Sequence, residues 1–159
     1  NQSSPTNPMA TPSDIRWQQR LQNFSRALNL LREIVEAHED LTTLESIVKE
    51  GTIQRFEYTF ELAWKTLKDK MQADGLELER ISPRYVFKSA FQAKYIDNIE
   101  DWLKMASDRN LMSHTYNFDT FDQVLVALKN DYFQLLDDLQ LSLIEQQLEE
   151  WNLVSKQST

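Results

Sequence analysis

Cysteine is absent from the 159-residue chain. This excludes disulfides, thiolate metal sites and cysteine nucleophiles. Glycine occurs only at Gly51 and Gly75, and proline at Pro5, Pro8, Pro12 and Pro83. So few turn-formers argue against an all-β fold and suit long helices joined by few connections. Histidine occurs twice, at His38 and His114, and no Glu-x-x-His pair exists, so the di-iron variety of helical bundle is not supported. No apolar run approaches the roughly 18 residues that cross a bilayer. No secretory signal is visible, and a cytoplasmic location is the expectation. Basic residues are outnumbered, 17 against 25 acidic, for a net charge of −8. A protein that coats nucleic acid non-specifically would be basic. Any RNA contact must therefore be local or shared with a second chain, and the acidic balance favours solubility or a basic partner.

What is present is helical periodicity. Apolar residues make up 41% of the chain, enough for one core in a chain of single-domain length. Residues 1–12 read as a disordered tail, with Met9 a candidate natural start. Residues 13–150 read as one domain, and 151–159 as a frayed C-terminal tail. Ser13 is a candidate N-cap for a helix to about His38, with the stripe Trp17, Leu21, Phe24, Leu28, Leu31, Val35. Thr42 and Glu45 have capping-box spacing. The next stripe is Ile53, Phe56, Phe60, Ala63, Leu67, Met71, with Trp64 on its edge. Gly51 is a place to bend and Gly75 a place to stop. Ser82-Pro83 opens a shorter helix carrying Val86, Phe87, Ala90 and Phe91. Asn98 with Asp101 opens another. Asp119 caps the last and longest helix, lined by Phe121, Leu125, Leu128, Tyr132, Leu135, Leu139 and Leu143. The fold class is all-α, an antiparallel up-and-down bundle of four to five helices.

The informative segment is Asn98–Asn117. On a helical wheel Ile99, Leu103 and Ala106 lie within about 40° of one another. Asn110 and His114 continue that stripe, so an amide and an imidazole stand where apolar side chains are due. Buried polar groups must be paired, and such breaks in pattern concentrate at functional sites. A satisfied core pair, or a helix end facing a solvated cleft, is the plain alternative. Arg109 and His114 are about 140° apart on a straight helix. They reach one atom only if the helix ends there, if the arginine bends round, or if two copies of the chain each lend a residue. His114 lies toward the helix C-terminus, where the dipole favours imidazolium.

Arg109-Asn110-Leu111-Met112-Ser113-His114 resembles the signature of the HEPN superfamily, and Tyr116 extends it to R-x4-H-x-Y. Two further stretches, QRFEYTFELAWKTLK (54–68) and SPRYVFKSAF (82–91), resemble the branch called nucleotidyltransferase substrate-binding proteins. The similarity covers about Leu41 to Asp138. The resemblance implies a HEPN-like bundle, a homodimer whose signature helices share a cleft, and in many members metal-independent RNA cleavage. By position, His114 would move the proton of the 2′-hydroxyl or leaving oxygen, Arg109 would hold the phosphate, and Asn110 would support that geometry. It also implies a partner, a minimal nucleotidyltransferase (MNT). In a toxin–antitoxin pair the partner would transfer AMP from ATP to Tyr116 and silence the nuclease; the chain itself would need no cofactor.

Other readings stay open. The chain could be a non-catalytic subunit that binds nucleotide or acceptor, or a plain dimerisation scaffold. Tyr116 could be a cap packed over the helix end. Glu57 and Glu61, one turn apart, are expected to be solvated or to tie their helix to a neighbour's arginine; Glu61 can also pair with Lys65. Lys65, Arg84 and Lys88 are candidate phosphate or RNA contacts. His38 is expected at the surface, and no metal site is expected.

Overall fold

The computed structural model describes residues 11–157, and among them no strand occurs. The tail expected at residues 1–10, with Met9, lies outside the described residues. The helices are α1 (Pro12–Ala37), α2 (Ser46–Ala73), α3 (Pro83–Gln92), α4 (Ile99–His114), α5 (Phe118–Ala127) and α6 (Phe133–Gln157). A π turn over Leu128–Tyr132 joins α5 to α6, so the last two form one rod and the bundle has five helical units.

Helix ends follow local chemistry, not always at the residue expected. Thr11, not Ser13, caps α1: its hydroxyl accepts from the Asp14 amide at 3.1 Å, and the Asp14 carboxylate accepts from the Thr11 amide at 3.2 Å. The reciprocal pair needs a carboxylate at the third helical position, and Asp14 fills it. Thr42 does not open α2; it sits in a 3-10 turn, Leu41–Thr43, capped by Asp40, and α2 starts after Glu45 with no side-chain cap. The helix runs unbroken through Gly51 and stops at Gly75, whose φ is +96°. There the amide of Leu76 donates to Met71 and that of Gly75 to Gln72, both at 3.0 Å, a paired C-terminal closure needing a left-handed residue. Asn98 precedes α4 but adopts φ 55° and makes no capping bond. Asn117, not Asp119, caps α5, accepting from the Asp119 amide at 2.8 Å. At the far end α6 stays helical through Gln157, past the residues expected to fray.

Pairings set the directions. Arg20 on early α1 meets Asp69 on late α2 at 3.0 Å, and Arg55 on early α2 donates to the Leu30 carbonyl on late α1 at 2.7 Å, so the two run antiparallel. Arg32 with Asp137 (2.6 Å) and Lys70 with Glu150 (2.7 Å) set α6 antiparallel to α1 and parallel to α2. Helix α4 runs with α1, and α3 closes one side. The stripes expected on α1 and α2 are buried throughout, Trp64 included. An aromatic chain of Tyr132, Phe56, Phe60, Phe87 and Trp102, with successive ring centroids 4.9–6.4 Å apart, ties the π turn to α2, α3 and α4. Two stripe assignments fail. Phe91 is exposed, and Leu136 replaces Leu135 in the core; the π turn inserts a residue, so every later position on the rod rotates relative to the α-helical wheel.

Candidate functional site

The α4 wheel is rotated from the expected one. Its buried residues are Trp102, Met105, Ala106 and Met112, while Ile99 and Leu103 are half-buried and Asn110 and His114 exposed. The indole and the two thioethers bury more apolar area than the flanking aliphatics, so they take the core. On this corrected face Arg109 falls in the middle of the buried arc, with Asn110 and His114 about 100° and 140° to one side. The polar intrusion into the apolar pattern is thus Arg109; of the two plain alternatives for Asn110 and His114, the buried pair is not formed and both side chains are exposed.

Arg109 faces α2. Its Nε lies 3.6 Å from Glu61 Oε2 and its Nη1 3.9 Å from Glu57 Oε2. These separations neutralise charge but are too long for the bidentate hydrogen bonds a guanidinium makes with a well-set carboxylate. Nη1 donates to the Ser113 hydroxyl, one turn along α4, and Ser113 in turn donates to Glu57 at 3.5 Å. The Nε atom is enclosed yet has no hydrogen-bond partner. Of the two expectations for Glu57 and Glu61, contact with an arginine of a neighbouring helix is the one realised.

Beside Arg109 is an open cleft of about 290 Å³ between the start of α3 and the side of α4, lined by Phe60, Glu61, Ser82, Arg84, Arg109 and Asn110 among others. Arg84 reaches across it, donating through Nη2 to the Ser107 hydroxyl and, at 3.4 Å, to the Leu103 carbonyl. Lys65 is not in the lining; it pairs with Glu61 at 3.8 Å and lies over the Trp64 ring. Lys88 is exposed on α3 outside the cleft. The cleft therefore gathers Arg84, Arg109 and Asn110 and leaves the two lysines out.

His114 and Tyr116 lie apart from it, exposed at the turn from α4 to α5. Tyr116 stacks edge-on to Phe118 and Phe121, both with centroids 5.9 Å away, yet is 73% exposed. The carboxylate of Glu50 on α2 raises the phenol above its ordinary pKa. Behind α4, Tyr132 donates to Asp108, and burial, then that bond, push its phenol strongly upward. Ser113, Ser107 and Glu50 were not foreseen from sequence. Ser113 had a signal, its i+4 spacing from Arg109; Glu50 had none, being 66 positions from the tyrosine it influences. His38, at the end of α1, turns its Nδ1 to the Ile34 carbonyl at 3.2 Å. Among the described residues no cluster of His, Asp and Glu could hold a metal ion, and no helix is long and apolar enough to cross a membrane.

A bundle of this form, carrying R-x4-H-x-Y at the end of an inner helix, is of the HEPN-like class. Residues 19–145 match the family described as nucleotidyltransferase substrate binding protein like, and the chain belongs to that family. Over 70 residues it is 30% identical to a probable ribonuclease HepT of Haemophilus influenzae, a match covering 42% of this chain and 48% of the relative. The chain thus spans about half the length of that curated relative. A crystal structure of a Thermus thermophilus protein superposes with a TM-score of 0.62 at 31% identity, covering 73% of this chain and 94% of the other.

Proposed function

We propose that the chain is a HEPN ribonuclease of the toxin type, acting as a cytoplasmic homodimer and held in check by a small nucleotidyltransferase. The observation that carries this reading is the layout of the signature on α4. Arg109 turns to a cleft, while His114 and Tyr116 stand exposed where the same helix ends. One chain offers two half-sites on different flanks, and two copies with facing α4 helices complete one site.

In that site the substrate 2′-oxygen attacks the adjacent phosphorus and the bond to the 5′-oxygen breaks. One copy's His114 takes the 2′-hydroxyl proton, and a second copy's His114 gives a proton to the leaving oxygen. Imidazole suits both tasks near neutral pH. Arg109 stabilises the charge growing on the phosphoryl oxygens, and Asn110 at the cleft rim steadies the same group. Silencing fits the exposure of Tyr116: its oxygen bonds to the α-phosphorus of ATP, pyrophosphate leaves, the phenolic proton passes to solvent, and a bulky anion then stands beside His114.

A second reading has its own support. Arg109 is held by Glu57 and Glu61, as a residue shaping a binding surface would be, and a non-catalytic subunit that orients a nucleotide or acceptor uses the same cleft.

The test is cleavage of single-stranded RNA by the purified chain and by His114→Ala, with intact mass measured after incubation with a nucleotidyltransferase and ATP. Cleavage is expected to fall about a hundredfold or more in the variant. With His114 exposed, stability should change by less than about 0.5 kcal/mol. An AMP adduct on Tyr116 that abolishes cleavage supports silencing. Equal cleavage by the variant removes the nuclease reading; a stable complex with no adduct favours the binding subunit.

A further inference from the structure

Arg84, a candidate phosphate contact from sequence, takes no part in the reaction proposed above, yet it shares a cleft with Arg109. We infer that the cleft between the first turn of α3 and the side of α4 is a phosphate-binding site in which Arg84 is a substrate-binding residue alongside Arg109. This deepens the ribonuclease reading and rests on it for the identity of the strand; the ligand chemistry is a phosphoryl group of an RNA strand or of a mononucleotide.

Three observations converge. Both of Arg84's bonds leave from Nη2, so its Nε and Nη1 donors remain for a ligand. Arg109 lies beyond hydrogen-bond distance of its carboxylates and bonds Ser113 through Nη1, so its Nη2 is the donor left for a ligand while its Nε is enclosed. The Ser82 hydroxyl makes no capping bond to α3, so the first free amides of that helix, with the positive end of its dipole, border the same cleft. The charge balance is favourable. Glu61 is the carboxylate in the lining, and it is already opposed by Arg109 and by Lys65 at 3.8 Å. Arg84 is left as the uncompensated charge. The Ser107 and Leu103 bonds hold its guanidinium across the opening, which lowers the ordering cost of binding. The wall is apolar at its back, where Phe60 and Ala106 lie, and these limit water around a bound anion.

The experiment measures binding of the full chain to a fluorescent single-stranded 2′-O-methyl oligoribonucleotide, which cannot be cut through a 2′-hydroxyl, over a range of salt concentrations. Arg84→Ala is expected to weaken binding about tenfold and to lower the slope of log affinity against log salt by about one. Arg84→Lys should recover part of the affinity, and Lys104→Ala, exposed elsewhere on α4, none of the loss. Competition with AMP separates the sources: displacement by AMP assigns the cleft to mononucleotides, and resistance to AMP assigns it to the strand. Unchanged affinity and slope in Arg84→Ala, or no binding of either probe by the unaltered chain, overturns the inference. Arg84→Gln carries the same comparison if the alanine variant unfolds. Cleavage of unmodified RNA is followed in parallel. Binding that depends on Arg84 without any cleavage removes the nuclease reading alone, whereas cleavage with binding indifferent to Arg84 removes the cleft alone.

Discussion

Lys70 and Arg109 each face two carboxylates, and the two clusters are built to different tolerances. Lys70, on late α2, donates to Asp74 at 2.8 Å and to Glu150 at 2.7 Å, with its ammonium 4.9 Å from the centre of the Trp17 ring. Arg109 stands 3.6 Å and 3.9 Å from Glu61 and Glu57, beside an open cleft. The Lys70 side chain is 5% exposed, whereas that of Arg109 is 24% exposed. The first cluster is closed. It fastens the end of α6 to α1 and α2, and Asp74 is also held by the Tyr95 hydroxyl at 2.5 Å. The second neutralises charge while leaving donors unspent. A buried charge must be fully paired to be tolerated, so slack in such a pairing is where a ligand can enter.

The strongest way to break this contrast is Lys70→Ala. It should destabilise the protein by about 2–3 kcal/mol, read from the denaturant midpoint, because two carboxylates lose their partner and α6 its fastening. A loss below about 0.5 kcal/mol would place Lys70 among ordinary surface pairs. The same cluster has a pH signature. Burial, the largest single influence, pulls the Lys70 pKa down, but the bonds to Asp74 and Glu150 together outweigh it and the net shift is upward. A cation with a raised folded pKa contributes fully below its unfolded value near 10.5 and loses that contribution as pH rises through the folded value. Alkaline unfolding should therefore begin above that range and should lose its Lys70-dependent part in Lys70→Ala.

The Arg109 cluster should respond more mildly. Glu57→Gln combined with Glu61→Gln is expected to cost less than about 1 kcal/mol, and to strengthen oligoribonucleotide binding severalfold by releasing Arg109. Destabilisation as large as that of Lys70→Ala would mean that both clusters are structural. The smallest effect belongs to neither. A Cβ at Gly51 meets nothing within 4 Å, so Gly51→Ala should stabilise by about 0.5–1 kcal/mol in thermal unfolding.

The difference between the clusters also marks how far the chain could be read unaided. The stripes of α1 and α2 were legible because each carries large apolar residues at strict three- and four-residue spacing with no rival face. Helix α4 had two rival faces, and choosing Ile99 and Leu103 over Trp102 and Met105 misplaced the polar intrusion by one residue, from Arg109 to Asn110 and His114. Phe91 was misassigned because it stands at the flank of the short α3, about 140° from Val86 on the wheel, and Leu135 by extending a wheel past a π turn that no local residue announces. Caps shifted by two positions where Thr11 and Asn117 took the free amides in place of Ser13 and Asp119, and Asp40 drew Thr42 into a separate 3-10 turn.

Composition and periodicity by themselves determined that the chain is all-α, that α1 and α2 bury the faces they do, and that Arg109, His114 and Tyr116 share one helix end. They did so because helical spacing and the signature are both local in sequence. Only the tertiary structure decided that Arg109 turns to Glu57 and Glu61, that Arg84 joins it while Lys65 and Lys88 do not, and that the charge of Glu50 bears on Tyr116. Those are meetings between helices, and their register is set by how the large side chains of several segments pack together, a quantity that no single stretch of sequence contains.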